Sequence, residues 1–90
     1  MINVTERAKK ELKRLLNSKV DWPQAKLRLM DRGEGNFGLG IDIESPGDVS
    51  LAYNGETILV CDSSLVDKVK NLTLDISEDD GLPEIIILGE

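Results

Sequence analysis

The sequence predicts one compact α+β domain that is mainly antiparallel β, with an amphipathic N-terminal helix and one short second helix. Three observations carry this. Helical apolar spacing occurs early and then gives way to alternation of period two. Two strong turn signals, Ser45-Pro46-Gly47-Asp48 and Asn54-Gly55, punctuate the alternating segments. The element order reads β-α-β-β-β-β-α-β-β with short connections and no repeating βαβ unit, which disfavours a doubly wound sheet. Ninety residues leave room for one core, so residues 1–90 form a single domain.

Ile2 and Val4 alternate as a strand entry, and Thr5 is placed to cap a helix whose first turn carries Glu6. Ala8, Leu12, Leu15 and Leu16 then form one apolar stripe, with Arg7, Lys9, Lys10, Lys13 and Arg14 on other faces. The helix is expected to stop near Asn17-Ser18, before Pro23. Ala25, Leu27 and Leu29 share a strand face, as do Phe37, Leu39, Ile41 and Ile43. Gly38 and Gly40 oppose the second set, which suggests that another element packs closely there. Asn54-Gly55 suits a two-residue type I′ hairpin. Asp62 or Ser63 caps a short helix with Leu65, Val66 and Val69 inward, and Leu72-Thr73-Leu74-Asp75-Ile76 alternates again. Residues 84–88, Glu-Ile-Ile-Ile-Leu, are too apolar for a half-exposed strand and are expected inside a sheet. An edge position there would instead call for a homodimer to cover it.

Composition excludes several function classes. The hydrophobic share is 40%, but Trp22, Phe37 and Tyr53 are the only aromatics. That scarcity, with a net charge of −6, argues against a nucleic-acid surface. Residues 1–32 carry nine Lys/Arg and four Asp/Glu, residues 33–90 two and thirteen. Such asymmetry suits ordinary solvated faces, or the docking of charged protein partners. There is no apolar run of membrane-spanning length and no secretion-type leader, so a cytoplasmic protein without a membrane role is expected. Histidine is absent and Cys61 is the single thiol, which removes the commonest general base and any all-cysteine metal site within one chain.

Val4-Thr5-Glu6-Arg7-Ala8, Phe37-Gly38-Leu39-Gly40-Ile41, Pro46-Gly47-Asp48 and the segment from Asp62 to Val69 occur here in one order. In that order and spacing the chain resembles the HesB-like family, which includes the A-type carriers of iron–sulfur cluster assembly. The resemblance runs from about Ile2 to Leu88 and implies a HesB-like fold and a place near cluster assembly. Cluster-carrying members supply one cysteine from a glycine-rich loop and two from a Cys-x-Cys near the C-terminus. The corresponding loop here is Gly33-Glu34-Gly35-Asn36, with Glu34 about where the cysteine would be, and the sequence reaches Leu88-Gly89-Glu90 without a Cys-x-Cys. Iron in such clusters is held by thiolates. The resemblance therefore implies a degenerate member whose loop is the remnant of a ligand site.

Each candidate has a plain structural alternative. Glu34 could ligate a hard cation, or be a solvated acid on a turn. Cys61 ends the apolar run Ile58-Leu59-Val60; it is either a core residue or, across a dimer, half of an unconventional cluster site. Asp75, Glu78, Asp79 and Asp80 lack the spacing of a calcium loop and read as solvated. The glycine segment matches neither a P-loop nor a dinucleotide fingerprint, because no Lys-Ser/Thr follows and a strand comes next. Ser63 and Ser64 have no base at hand, so no catalytic set is found and an enzyme is not expected. The expectation is a non-enzymatic protein without a bound cofactor, docking to or regulating proteins, with iron–sulfur assembly proteins as the implied partners. The alternative is a small binding module that uses residues 33–36 for a metal ion or another ligand.

Overall fold

A computed structural model of the chain describes residues 1–19, 22–78 and 81–89, with Lys19 described by its backbone alone. The strands are β1 (Asn3–Val4), β2 (Ala25–Gly33), β3 (Asn36–Ile43), β4 (Asp48–Tyr53), β5 (Glu56–Asp62), β6 (Thr73–Ser77) and β7 (Glu84–Leu88). Helix α1 spans Glu6–Lys19, and a 3-10 turn at Ser63–Leu65 runs into α2 (Val66–Val69). The order of elements is the one expected from the alternation of periods. Thr5 caps α1 as expected: its Oγ1 accepts the Ala8 N–H at 3.2 Å and donates to Asp75 Oδ1 at 2.7 Å. Asp62 caps the second helical segment, accepting the Ser64 N–H at 2.9 Å.

Two mixed sheets result. One has the order β1-β6-β7, the other β3-β2-β5-β4. Hairpin ladders are antiparallel, while β1–β6 and β2–β5 pair in parallel. Helix α1 lays its stripe against both sheets, and Ala8, Leu12 and Leu16 are buried with Leu27, Leu29, Leu59, Leu74 and Ile76 in one core. Both expected turns form. Asn54 and Gly55 have φ of 52° and 80°, the left-handed pair of a type I′ turn, and Gly47 has φ of 88° in the Ser45–Asp48 turn.

Two expectations are corrected. First, β7 is an edge strand, with Glu84 and Leu88 exposed and Ile85–Ile87 half-buried. Its apolar run reflects one face on the core and a lightly covered second face, rather than an interior position. Second, what lies closest against Gly38 and Gly40, among the described residues, is the neighbouring strand β2. A Cβ at Gly38 would lie 2.1 Å from Arg32 Nε, and one at Gly40 2.8 Å from Met30 Cε. The glycines make room for long side chains of the neighbouring strand β2, which lie flat across β3.

The β3–β4 connection has an unusual task. Strand β3 lies at one edge of its sheet and β4 at the other, so residues 44–47 pass the ends of β2 and β5. Arg28 on β2 holds this crossing. Its Nε donates to Asp42 Oδ2 at 2.7 Å, its Nη1 and Nη2 to the Asp48 carboxylate at 3.0 and 2.6 Å, and its Nη2 also to the Ile43 carbonyl at 3.0 Å. Asp48 in turn accepts the Ser45 N–H at 2.8 Å. A bidentate arginine fork suits this work because it fixes direction as well as distance.

Candidate functional site

The segment Gly33-Glu34-Gly35-Asn36 is the β2–β3 turn. Gly33 pairs with Asn36, and Glu34 and Gly35 between them have φ of 55° and 79°, so this is a second type I′ turn. The glycines are therefore explained by backbone conformation, and no neighbouring atom would meet a Cβ at Gly33 or Gly35. Asp31 braces the turn. Its Oδ1 accepts the Gly33 N–H at 2.8 Å and its Oδ2 the Lys68 ammonium at 3.1 Å. The Gly33 N–H first, and then Lys68, hold the Asp31 carboxyl below its ordinary range.

The turn borders two open depressions of about 560 Å³ each. One runs between the free edges of the two sheets, with Asn36, Phe37 and Leu39 on one side, Ile85 and Ile87 on the other, and Leu72 also lining it. Gly35 and Gly89 both line this groove, so the turn and the end of the chain meet there. The other depression gathers Asp31, Glu34 and Lys68. Neither contains a sulfur donor. Asp31 is committed to the turn and to Lys68, which leaves Glu34 as a single uncommitted carboxylate, a poor cation site. Among the described residues no three His, Cys, Asp or Glu side chains converge. Asp79 and Asp80 lie outside the described residues.

Glu34 is an uncomfortable residue for its place. A side chain with a Cβ at φ of 55° carries a left-handed conformation that asparagine tolerates better. Glu34→Asn is expected to raise stability by about 0.5–1 kcal/mol, read from urea unfolding.

Cys61 lines neither depression. It is fully buried in β5, in register with Leu29 of β2 and Val49 of β4, and it belongs to the core. Its Sγ makes a long contact of 3.5 Å to the Asp62 carbonyl. Burial pushes the thiol's pKa up, and the fully enclosed sulfur is shielded from solvent. The donors present in these sites thus do not fit an iron–sulfur cluster, which takes thiolates.

No protein-family model matches the chain, and a sequence search of curated proteins finds no match. Solved structures do match. Escherichia coli SufA, described as involved in the biosynthesis of iron–sulfur clusters, superposes with a TM-score of 0.70 at 14% identity, over 98% of this chain and 84% of SufA. IscA with its 2Fe-2S cluster gives 0.65 at 19% identity, over 99% and 85%. The chain has the HesB-like fold. A protein of Aquifex aeolicus solved by NMR gives 0.60 at 21% identity, over 99% and 91%.

On this HesB-like scaffold the charges sort differently from what the sequence suggested. The cations of α1 are largely paired: Arg7 with Asp75 and Lys13 with Glu56 across elements, Lys9 with Glu6 and Arg14 with Glu11 within the helix. Lys13 also lies over the Tyr53 ring at 5.9 Å. Asp75, read from sequence as a solvated acid, is a strand residue that ties β6 to the start of α1 through Thr5 and Arg7. Its carboxyl is held below the ordinary range by the Thr5 hydroxyl first, then by the Ile76 N–H and Arg7. Sequence reasoning missed Arg28 altogether. The available signal was an arginine inside an apolar alternation, together with two acids bracketing a proline-glycine turn. No helix is long and apolar enough to cross a membrane among the described residues.

Proposed function

We propose that this HesB-fold chain is a non-enzymatic cytoplasmic protein of the iron–sulfur assembly system that works by docking to protein partners and does not carry a cluster on the usual cysteines. The carrying observation is the position of its one thiol, sealed in the core at Cys61, while the side chains that the glycine turn presents are those of Glu34 and Asn36. The similarity to SufA and IscA supports the link to cluster assembly. The absence of a base–nucleophile pair beside Ser63 or Ser64 supports a role without catalysis.

Anaerobic reconstitution of the full chain with iron and sulfide tests the reading, with iron and acid-labile sulfide counted per chain. Neither is expected to be retained, in the wild type or in Cys61→Ala. A stoichiometric cluster in the wild type that is lost in Cys61→Ala would make Cys61 a ligand and overturn the proposal.

A further inference from the structure

Strand β3 is paired on one side only, and the parity of its ladder fixes which backbone groups face outward. Asn36 meets Gly33 across the type I′ turn, and the one register shift adds its residue to β2, so β3 itself runs unbroken. At the far end Ala25 and Ile43 stand opposite without bonding each other. The Ala25 N–H donates to the Trp22 carbonyl at 3.0 Å and the Ile43 N–H to Asp42 Oδ1 at 2.7 Å. Backbone groups alternate in direction along a strand. Gly38, Gly40 and Asp42 therefore address β2, while the N–H and C=O groups of Phe37, Leu39 and Ile41 point to the open side. The carbonyl of Ile43, next in that row, accepts from Arg28 at 3.0 Å, so the open stretch ends there. Strand β3 carries neither the lysine nor the proline that usually blunts such an edge.

Beside these groups the side chains form an apolar shelf. Leu39, Ile41 and Ile43 share the core-ward face with Leu29, Leu27 and Ala25, yet Ile41 is 46% and Ile43 43% exposed. Trp22, the only tryptophan and 54% exposed, borders a depression of about 550 Å³ together with Ile43 and Glu44. Tryptophan is among the residues that dominate interface energetics once covered. Charge selects what covers it. Glu34 and Glu44 lie exposed at the two ends of the edge, and residues 33–44 contain no Lys or Arg. Lys26 and Arg28 belong to β2, one strand further in and on the opposite face, where Arg32 also lies over Gly38.

We infer that β3 receives an extended segment of a partner protein, apolar at alternate positions and with Lys or Arg at both ends, as an added strand of the β3-β2-β5-β4 sheet. The inference rests on the docking role proposed above and names its surface and the chemistry of its partner. The open groups of Phe37, Leu39 and Ile41 supply the ladder, the shelf takes the apolar side chains, and the two glutamates meet the flanking cations. A second copy of this chain does not suit this edge. The antiparallel register that uses all three open residues is centred on Leu39, and it brings Glu34 of each copy to Glu44 of the other. Acid would then oppose acid at both ends, between molecules of net charge −6.

The test is a titration of the full chain at low salt with the capped peptide Lys-Lys-Val-Thr-Val-Thr-Val-Lys-Lys, followed by Trp22 fluorescence and amide hydrogen exchange. The expected result is a shift of the Trp22 emission to shorter wavelength, with new protection at the Phe37, Leu39 and Ile41 amides. The same peptide with Glu in place of every Lys is expected to bind about tenfold more weakly or worse. Added salt narrows that difference. Ile41→Pro removes one outward N–H and leaves the β2–β3 ladder whole, and it is expected to weaken binding by about tenfold. Ile41→Val keeps the N–H and is expected to retain binding. The wild-type exchange pattern answers the question even if the proline variant does not fold. No protection up to about 1 mM peptide overturns the inference, as does equal binding of the two peptides. So does protection that falls on β7 instead, or protection of β3 that rises with the chain's own concentration without peptide. A cluster found on reconstitution would overturn the proposed function whatever the peptide does, whereas a chain that ignores the peptide sinks this inference alone.

Discussion

Leu12→Ala is expected to cost roughly 3–4 kcal/mol, read as a lower urea midpoint with an unchanged slope. Leu12 is fully buried on the α1 stripe, in the core cluster that joins both sheets to the helix. Truncation there removes transfer energy and leaves a cavity that neither sheet can close, because each is fixed by its own ladder. A domain of this size has only a few such kcal/mol in hand. The variant should therefore show a visible unfolded population at room temperature in mild urea. A cost below about 1 kcal/mol would mean that α1 is not seated between the sheets as described.

Arg28→Ala is expected to lower the thermal midpoint at pH 7 by on the order of 10 °C. The change releases the β3–β4 crossing at both ends and leaves Asp48, whose side chain is only 6% exposed, without its partner. It also strips cover from the outward face of β5, where Val60 is in register with Arg28 and fully buried. The pH dependence has a definite sign. Arg28 first, then the Ser45 N–H, hold the Asp48 carboxyl below its ordinary range, while the Ile43 N–H and then Arg28 do the same for Asp42. A carboxylate with a depressed folded pKa contributes stability that is fully present above its unfolded value. That contribution is lost as pH falls from about 5 through the depressed folded values. The wild type should lose thermal stability along that path, and Arg28→Ala should lose less, because the Asp48 contribution is already gone. Parallel midpoint curves for the two proteins between pH 7 and 3 would show that the fork does not act on Asp48 in solution.

The candidate site was half legible in the sequence. That Gly33–Asn36 was a special backbone segment followed from glycine density, and the structure makes it a type I′ turn. That Cys61 belonged to the core followed from its place at the end of an apolar run, and it is fully buried. What the residues could not convey was the neighbour. The groove beside the turn exists because β3 and β7, more than forty residues apart in sequence, both present free edges to the same space.

Taken alone, the sequence determined the elements. Period, caps and turn residues act over three to seven neighbours, so Thr5, Asp62, Pro46-Gly47 and Asn54-Gly55 set where α1, α2 and the hairpins begin and end. Only the tertiary structure decided which strands meet. The parallel β2–β5 pairing, the crossing that Arg28 holds, and the edge position of β7 depend on contacts between distant segments. An alternating strand carries the same side-chain pattern at the centre of a sheet or at its edge. Its own residues specify a face to bury, and the choice of partner belongs to the packing of the whole chain.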